Sequence, residues 1–469
     1  MNDSDIYIGL DIGTTSIKVI VAQQVDGLVS VIGFGNEESA GVSRGIIVDI
    51  DKAAQAIKKT ISQAETKSGV EISSVVVGLP ADKISISHCS GMINLPDSSQ
   101  EINNQDIADV AQAAITNNIP QERELIDLIP EEFKIDGFDQ IFDPRGMVGS
   151  HLELEGRIIT GSKTIIHNVR KAVEKAGLNI DMMLVSAEAE GRTILSDPEQ
   201  DFGTILIDLG GGQSTAAVIH NYELKYVDVD HEGGQFITKD ISSVLGTSFK
   251  DAENIKNEYG FANVDQASAE NNFPVDIVGK SQPENVSEKL LAQIIEARLD
   301  QIFGRLRDKL VEANALGMPG GIVMTGGVSS MPGIAELAAN TFGVNVRIYT
   351  PNQMGIRHAS FANALALVEY ANKMDEIIKV VRSAFDDNFY LEEPLTEENE
   401  TVEEIRQTRR ETPQVTGTNE EDHEGIFASL KKLKKDDKKS KKAKSRFALK
   451  NFFEWLGGWN NGLLNWSKC

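Results

Sequence analysis

The sequence predicts an α/β protein of two like lobes, with an α+β subdomain inserted in the first lobe, then a linker without a fold of its own and a terminal amphipathic helix. Three observations carry that expectation. A strand–Asp–glycine–hydroxyl pattern occurs twice, at 8–20 and 205–215; the strand and helix alternation changes character over 84–160; and after Ala384 the composition turns acidic, then basic, then aromatic.

The second copy of the pattern is Ile205-Leu206-Ile207-Asp208-Leu209-Gly210-Gly211-Gly212-Gln213-Ser214-Thr215. Consecutive glycines let the backbone turn where a side chain would clash, and they leave amide N–H groups free to face an anion such as phosphate. Asp208, at the strand end, is placed to hold Mg2+ directly or through water, because Mg2+ on phosphates takes few carboxylates and keeps several waters. The first copy, Ile8-Gly9-Leu10-Asp11-Ile12-Gly13-Thr14-Thr15-Ser16-Ile17-Lys18-Val19-Ile20, repeats the order, with Asp11 as the matching metal residue. If each copy is a β-hairpin at the mouth of its own lobe, the lobes grip one nucleotide between them, an arrangement similar to the actin-type ATPase core. Gly13, Thr14, Thr15, Ser16, Ser214 and Thr215 then face phosphate, with Lys18 as counter-charge. No GxxxxGK[ST] occurs, which disfavours a P-loop.

A third stretch, 320–334, again runs from a strand into glycines, and a helix begins near Pro332. In the actin-type family this is the adenosine motif, which assigns Gly326, Gly327 and Val328 to the base and sugar. Gly233 and Gly234 resemble that family's loop beneath the nucleotide. Glu253 and Lys256 lie three apart on one helix face, where a carboxylate can take ribose hydroxyls and a lysine stem can cover the base. ATP and Mg2+ are therefore the expected cofactors.

The 469 residues exceed one ordinary core, and the 41% apolar fraction agrees with a globular protein. No run of eighteen apolar residues occurs, and residues 1–5 lack the basic and apolar regions of a signal peptide, so a cytoplasmic chain is expected. Two cysteines, Cys89 and Cys469, and seven scattered histidines argue against a disulfide framework or a structural zinc site. A net charge of −25 argues against a nucleic-acid partner, because phosphate repels an acidic surface.

In chain order, the first hairpin leads to a strand over 29–35, a helix over 51–68 with Ala53, Ala54, Ile57, Ile61 and Ala64 at helical spacing, and a buried strand over 74–79. Two short strands, around 84–86 and 91–93, a helix over 104–117 and a strand over 152–160 make the inserted subdomain. The second lobe starts at Gly203; a strand over 226–230 and a helix over 238–244 follow. Residues 263–285 read as a polar loop, and 287–314 as a long helix with the stripe Leu290, Ile294, Ile295, Leu299, Ile302, Phe303, Leu306 and Leu310. Its exposed face carries Arg298, Arg305, Arg307 and Lys309. A strand over 341–350 and a helix over 361–371 complete the fold. The division is 1–83, 161–200 and 357–385 for the first lobe core, 84–160 for the insertion, 201–245 and 315–356 for the second lobe core, and 246–314 for its subdomain.

The block from Asp143 to Gly156 (DPRGMVGSHLELEG), then Thr160-Gly161-Ser162-Lys163 and a helix over 167–176, resembles the FtsA family of bacterial cell-division proteins, and with the nucleotide motifs the resemblance spans 7–384. It implies an insertion through which subunits assemble into filaments. It also implies that the 246–314 subdomain receives the acidic C-terminal tail of the tubulin-like FtsZ, with Arg298 and Arg305 as contacts, and that later division proteins are recruited at the septum. Where related ATPases align the attacking water with a carboxylate or glutamine, this chain offers Ser186, so weak or no ATP turnover is expected. An actin-fold kinase and a pilus-assembly-type scaffold are the alternatives; a sugar kinase would need a sugar-binding acid at the cleft mouth, and none is located.

Residues 386–424 are dominated by carboxylates and 431–446 are strongly basic, so 386–444 is expected to be a disordered linker. Within 445–469, Leu449, Phe452, Phe453, Trp455, Leu456 and Trp459 fall on one half of a helical wheel, opposite Lys450, Asn451 and Glu454. That face behind a lysine-rich run suits a helix lying in an anionic leaflet, which makes the chain a peripheral protein on the cytoplasmic side of the cell membrane.

Overall fold

The computed structural model describes residues 6–25, 27–95, 100–116 and 119–386. The basic run and the terminal helix expected from the sequence, and the linker beyond Asp386, lie outside the described residues.

In the first lobe β1 (Ile6–Ile12), β2 (Ser16–Val25) and β3 (Leu28–Glu38) form an antiparallel meander. The small pair β4 (Val42–Ser43) and β5 (Ile46–Ile47) follows, then α1 (Ile50–Ser68) and β6 (Ser74–Leu79), which runs parallel to β1. Helix α1 starts where the Asp49 carboxylate accepts the Lys52 N–H at 3.1 Å and stops at Gly69 with φ 72°; Ala53, Ala54, Ile57, Ile61 and Ala64 form part of its buried face, as their spacing predicts.

The insertion comprises β7 (Ser85–Asn94), α2 (Asn104–Thr116), β8 (Arg123–Ile135), β9 (Phe138–Ile141) and β10 (His151–Ser162), in the sheet order β7-β10-β8-β9. The two short strands expected here are one strand of ten residues. Its register with β10 is unbroken from Ser85 to Asn94, and the polar residues between the apolar pieces hid its continuity, because only Cys89 of the ten is buried. The chain returns through α3 (Lys163–Lys175), which begins a turn earlier than expected, and β11 (Asn179–Val185), parallel to β6.

Helices α4 (Ser186–Ile194) and α5 (Asp197–Phe202) lead into β12 (Thr204–Leu209), β13 (Ser214–His220) and β14 (Glu223–Asp230). Then come α6 (Gly234–Leu245), α7 (Phe249–Tyr259), β15 (Asn272–Val275), β16 (Glu284–Ser287) and α8 (Glu288–Glu312). The polar segment expected as a loop therefore contains a hairpin, which is held because Phe273, Val275 and Val286 are buried with α8 and Phe273 stacks on Tyr259 at 4.3 Å. On α8 the inward residue is Leu291, whereas Leu290 is 40% exposed; the rest of the expected stripe is buried or half-buried. The strand expected over 341–350 shrinks to three residues, because 341 and 342 close a helix: β17 (Ile322–Thr325), a 3-10 turn (Gly327–Ser330), α9 (Ile334–Phe342), β18 (Val346–Ile348).

The two lobes share one topology. The sheet β11-β6-β1-β2-β3 is matched by β18-β17-β12-β13-β14, each a three-stranded meander extended by two parallel strands. Helix α10 (Ala362–Lys373) crosses back to the first lobe and buries Leu365 and Val368 with Ile20 and Ala22, and Leu367 and Tyr370 with Val76 and Leu184. Helix α11 (Glu376–Arg382) packs into the core of the insertion, where Val380 and Val381 join Leu128, Phe133 and Leu154.

Candidate nucleotide cleft

Between the lobes lies a cavity of about 470 Å³, in the size range of small-molecule sites. The tips of the hairpins β1–β2 and β12–β13 meet on it. A Cβ on Gly211 would run into the Thr15 side chain and one on Gly212 into Thr14, so only glycine allows the two turns to face each other this closely. At the back, Gly326 (φ 87°) turns the chain beside the Asp208 carboxylate, where any side chain would collide with it.

Asp11 ends β1 opposite Lys18 in the antiparallel register, and Lys18 Nζ stands 3.6 Å from its carboxylate and donates to Ser16 Oγ at 2.7 Å. Asn363 of α10 donates to Asp11 Oδ1 at 2.9 Å and reaches Ser186 Oγ at 3.1 Å, so the first hairpin, α4 and α10 are joined at one amide. Asp208 ends β12 opposite Thr215 and beside Thr325 of β17. Glu190, one turn beyond Ser186, points into the same cavity with its carboxylate 3.3 Å from Thr325 Oγ1.

Burial raises the pKa of all three carboxylates. For Asp11 the nearby Lys18 works against it; for Asp208, pushed to about 7, and Glu190, the neighbouring acids add to it. A cation in the cleft would relieve that cost. Among the described residues, however, no group of three or more His, Cys, Asp or Glu side chains is placed to hold a metal ion by itself, so Mg2+ here would need phosphate oxygens and water as further ligands. Gln213 Oε1 and Asn363 Oδ1, both on the cavity wall, are buried without a hydrogen-bond partner, acceptors suited to metal-bound water or a ligand hydroxyl.

The residues expected from the sequence to contact nucleotide line this cavity except for two. Ser214 neighbours Thr215 in a strand, where side chains alternate between faces; Thr215 faces the cleft and Ser214 turns away, donating to the Glu232 carbonyl at 2.8 Å. Gly233 sits behind the second hairpin, where any Cβ would run into the Gly210 carbonyl, while Gly234 reaches the cleft. Lys256 is buried and its ammonium is bonded to Glu253 (2.7 Å), Thr238 Oγ1 (2.9 Å) and the Gly234 carbonyl (3.2 Å), so it contributes its stem to the wall and not a free charge; burial lowers its pKa against the pull of Glu253. Gly45, Glu190, Gln213, His358 and Asn363 also line the cleft and were missed. Only Glu190 left a signal, its four-residue spacing from Ser186.

The face of α8 expected to be open and basic is largely neutralised. Arg298 bonds Asp240 at 2.6 and 3.0 Å and Glu232 at 2.9 Å; Arg305 pairs with Asp230 and, at 2.6 Å, with Glu232; Lys309 takes Asp228 at 2.5 Å. Carboxylates from β14, the loop after it and α6, distant in sequence, fold over the arginines.

The family model "Cell division protein FtsA" matches residues 205–366, and "SHS2 domain inserted in FTSA" matches 81–160. The chain is 49% identical to the cell division protein FtsA of Enterococcus hirae over 384 residues, 82% of this chain and 87% of that protein. It is 39% identical to that of Bacillus subtilis over 371 residues, 79% and 84% of the two chains. Among solved structures, one of the "PilM-PilN type IV pilus biogenesis complex" aligns with TM-score 0.55 at 17% identity, covering 78% of this chain and 99% of that one, a likeness of fold alone. The duplicated lobes, the cleft between their glycine hairpins and the inserted sheet make this an actin-like ATPase fold, and the chain belongs to the FtsA family of cell-division proteins.

Proposed function

We propose that this chain binds ATP with Mg2+ in the cleft, assembles with copies of itself through the insertion, receives the acidic tail of FtsZ on the α8 face, and ties FtsZ filaments to the inner face of the plasma membrane through residues 445–469. The observation that carries the nucleotide reading is the convergence of the Gly13–Thr15 and Gly210–Gly212 turns with Asp11 and Asp208 in one cavity. Backbone N–H groups of both turns and Lys18 would meet the phosphates; Asp11 and Asp208 would hold Mg2+ through its waters; Glu253 and the 326–328 turn would border the nucleoside. When bound, Mg2+ would supply charge neutralisation of the phosphates.

Ser186 stands where related ATPases use a larger polar group, which supports slow or no turnover and a role for ATP as a structural ligand between the lobes. Among the described residues no helix is long and apolar enough to cross a membrane. Many weak anchors on one filament would act together, so a helix of modest affinity suffices for firm attachment.

Calorimetry tests the core of this reading. ATP is expected to bind more tightly with Mg2+ than without it, and Asp208→Ala is expected to abolish that difference. Equal affinity in wild type and variant, with Mg2+ present, overturns the site.

A further inference from the structure

The loop that leaves β14 touches three things at once. Its Glu232 side chain bonds both Arg298 (2.9 Å) and Arg305 (2.6 Å) of α8. Its backbone is tied to the second glycine hairpin: the Glu232 carbonyl accepts Ser214 Oγ at 2.8 Å, the Gly234 N–H donates to the Gly210 carbonyl at 3.0 Å and the Gln235 N–H to the Gly211 carbonyl at 2.7 Å. On its outer side, His231 Nε2 stands 3.5 Å from Asp82 of the first lobe, just before the insertion.

One residue further, the Phe236 ring lies near two guanidinium groups, Arg298 with its centre 5.8 Å from the ring centroid and Arg44 at 5.7 Å. Arg44 belongs to the first lobe, in the turn between β4 and β5, and its neighbour Gly45 donates to Thr14 Oγ1 at 2.8 Å. A continuous set of contacts thus runs from the first hairpin, through Gly45 and Arg44, to Phe236 and Arg298. A second set runs from the second hairpin, through Gly234, to Glu232 and the same arginines.

We propose that nucleotide in the cleft and an acidic peptide on α8 oppose each other through residues 232–236, with Glu232 acting as an internal competitor for the peptide's carboxylates. The inference rests on the α8 docking reading given above. A carboxylate arriving at Arg298 and Arg305 must displace Glu232, because the charge-assisted bonds of both guanidinium groups already reach it. Nucleotide, by filling the space against Gly210, Gly211 and Gly234, holds the loop where Glu232 covers the arginines. The two ligands then change each other's affinity by the same factor, as linkage requires.

The probe is a synthetic FtsZ C-terminal peptide, titrated by calorimetry into the full chain with and without saturating ATP and Mg2+, and nucleotide titrated with and without peptide. Roughly three- to tenfold weaker peptide binding with nucleotide is expected, with the reciprocal change in nucleotide affinity. Glu232→Gln is expected to bind the peptide more tightly than wild type and to lose the nucleotide dependence, while still binding nucleotide. Phe236→Leu is expected to reduce that dependence with little change in peptide affinity when nucleotide is absent. Peptide affinity that ignores or rises with nucleotide in wild type, or an unchanged nucleotide dependence in Glu232→Gln, overturns the proposal. Peptide binding that survives Arg298→Glu undiminished overturns instead the docking site on which it rests.

Discussion

Glu188 shows how much one residue's surroundings can decide. It is 3% exposed on α4, two residues before the cleft-facing Glu190, and one of its carboxylate oxygens has no hydrogen-bond partner. Burial pushes its pKa to about 7; Asp127 and Glu223 add to the shift, and Arg192 and Arg157 oppose it. The unfolded chain ionises this group near the ordinary value, whereas the folded chain keeps the proton to about pH 7, so the folded state binds more protons in between. Stability falls as pH rises from about 4.5 to about 7, and the cost is fully present above that. Glu188→Gln should therefore raise the melting temperature at pH 8, by an amount equivalent to at most about 3 kcal/mol, and leave it unchanged near pH 4. An equal shift at both pH values would show packing, and not charge, to be the cause. Nothing in the local sequence marks Glu188 as buried: its neighbours Ala187, Ala189 and Glu190 are buried as well, so no helical stripe singles it out.

At the scale of elements, the legible parts were those whose cause is local. The two hairpins announce themselves through glycine after aspartate, and α1 through its stripe and its cap, so their positions follow from the residues alone. What was not legible depends on where a strand or helix lands. Ser214 reads as one more hydroxyl in a glycine loop until the pleat of β13 turns it away, and β15–β16 reads as polar loop because its two strands carry few apolar side chains. Helix α8 combines both cases: its apolar stripe was correct apart from Leu290, but its arginines are covered by carboxylates more than fifty residues earlier. Arg298→Glu should accordingly do two things. It should cost on the order of 1–3 kcal/mol of stability by placing a third carboxylate against Asp240 and Glu232, visible as a lower melting temperature. It should also weaken binding of the acidic peptide at least tenfold, with the wild-type affinity falling as salt rises. Salt-independent binding in wild type would argue that apolar contacts, not these arginines, hold the peptide.

For the molecule as a whole, the repeated lobe was predictable because a duplicated motif implies a duplicated domain, and the insertion because the strand and helix pattern changes within the first lobe; the family model of an inserted domain matches 81–160. The tail is a separate matter of composition. If residues 445–469 anchor the chain, a protein ending at Ala384 should bind ATP as the full chain does and fail to pellet with anionic vesicles. Trp455→Glu in the full chain should do the same, since it places a charge among apolar side chains that otherwise leave water at about 25 cal/mol per Å² buried. Reversal of several lysines within 431–444 should weaken sedimentation chiefly at low salt. Pelleting of the truncated protein at the level of the full chain would move the anchor elsewhere.

Helix α11 is the last element before the chain continues beyond Asp386, and it is bolted to the insertion. Val380 and Val381 sit in that subdomain's core, and the Arg382 guanidinium, 1% exposed, pairs with the equally buried Asp127 of β8. Removing one partner of such a pair leaves a stranded charge and costs about 3–5 kcal/mol. Any tension applied through the C-terminus therefore enters the molecule at β8, and from there passes across the sheet to β10, whose Arg157 holds Glu131 beside it and Glu223 and the Leu224 carbonyl on β14 of the second lobe. A pull on the tail would therefore be felt by the surface expected to join neighbouring copies and, through Arg157, by the lobe that carries α8, as well as along α10, whose Asn363 holds Asp11 at the first hairpin.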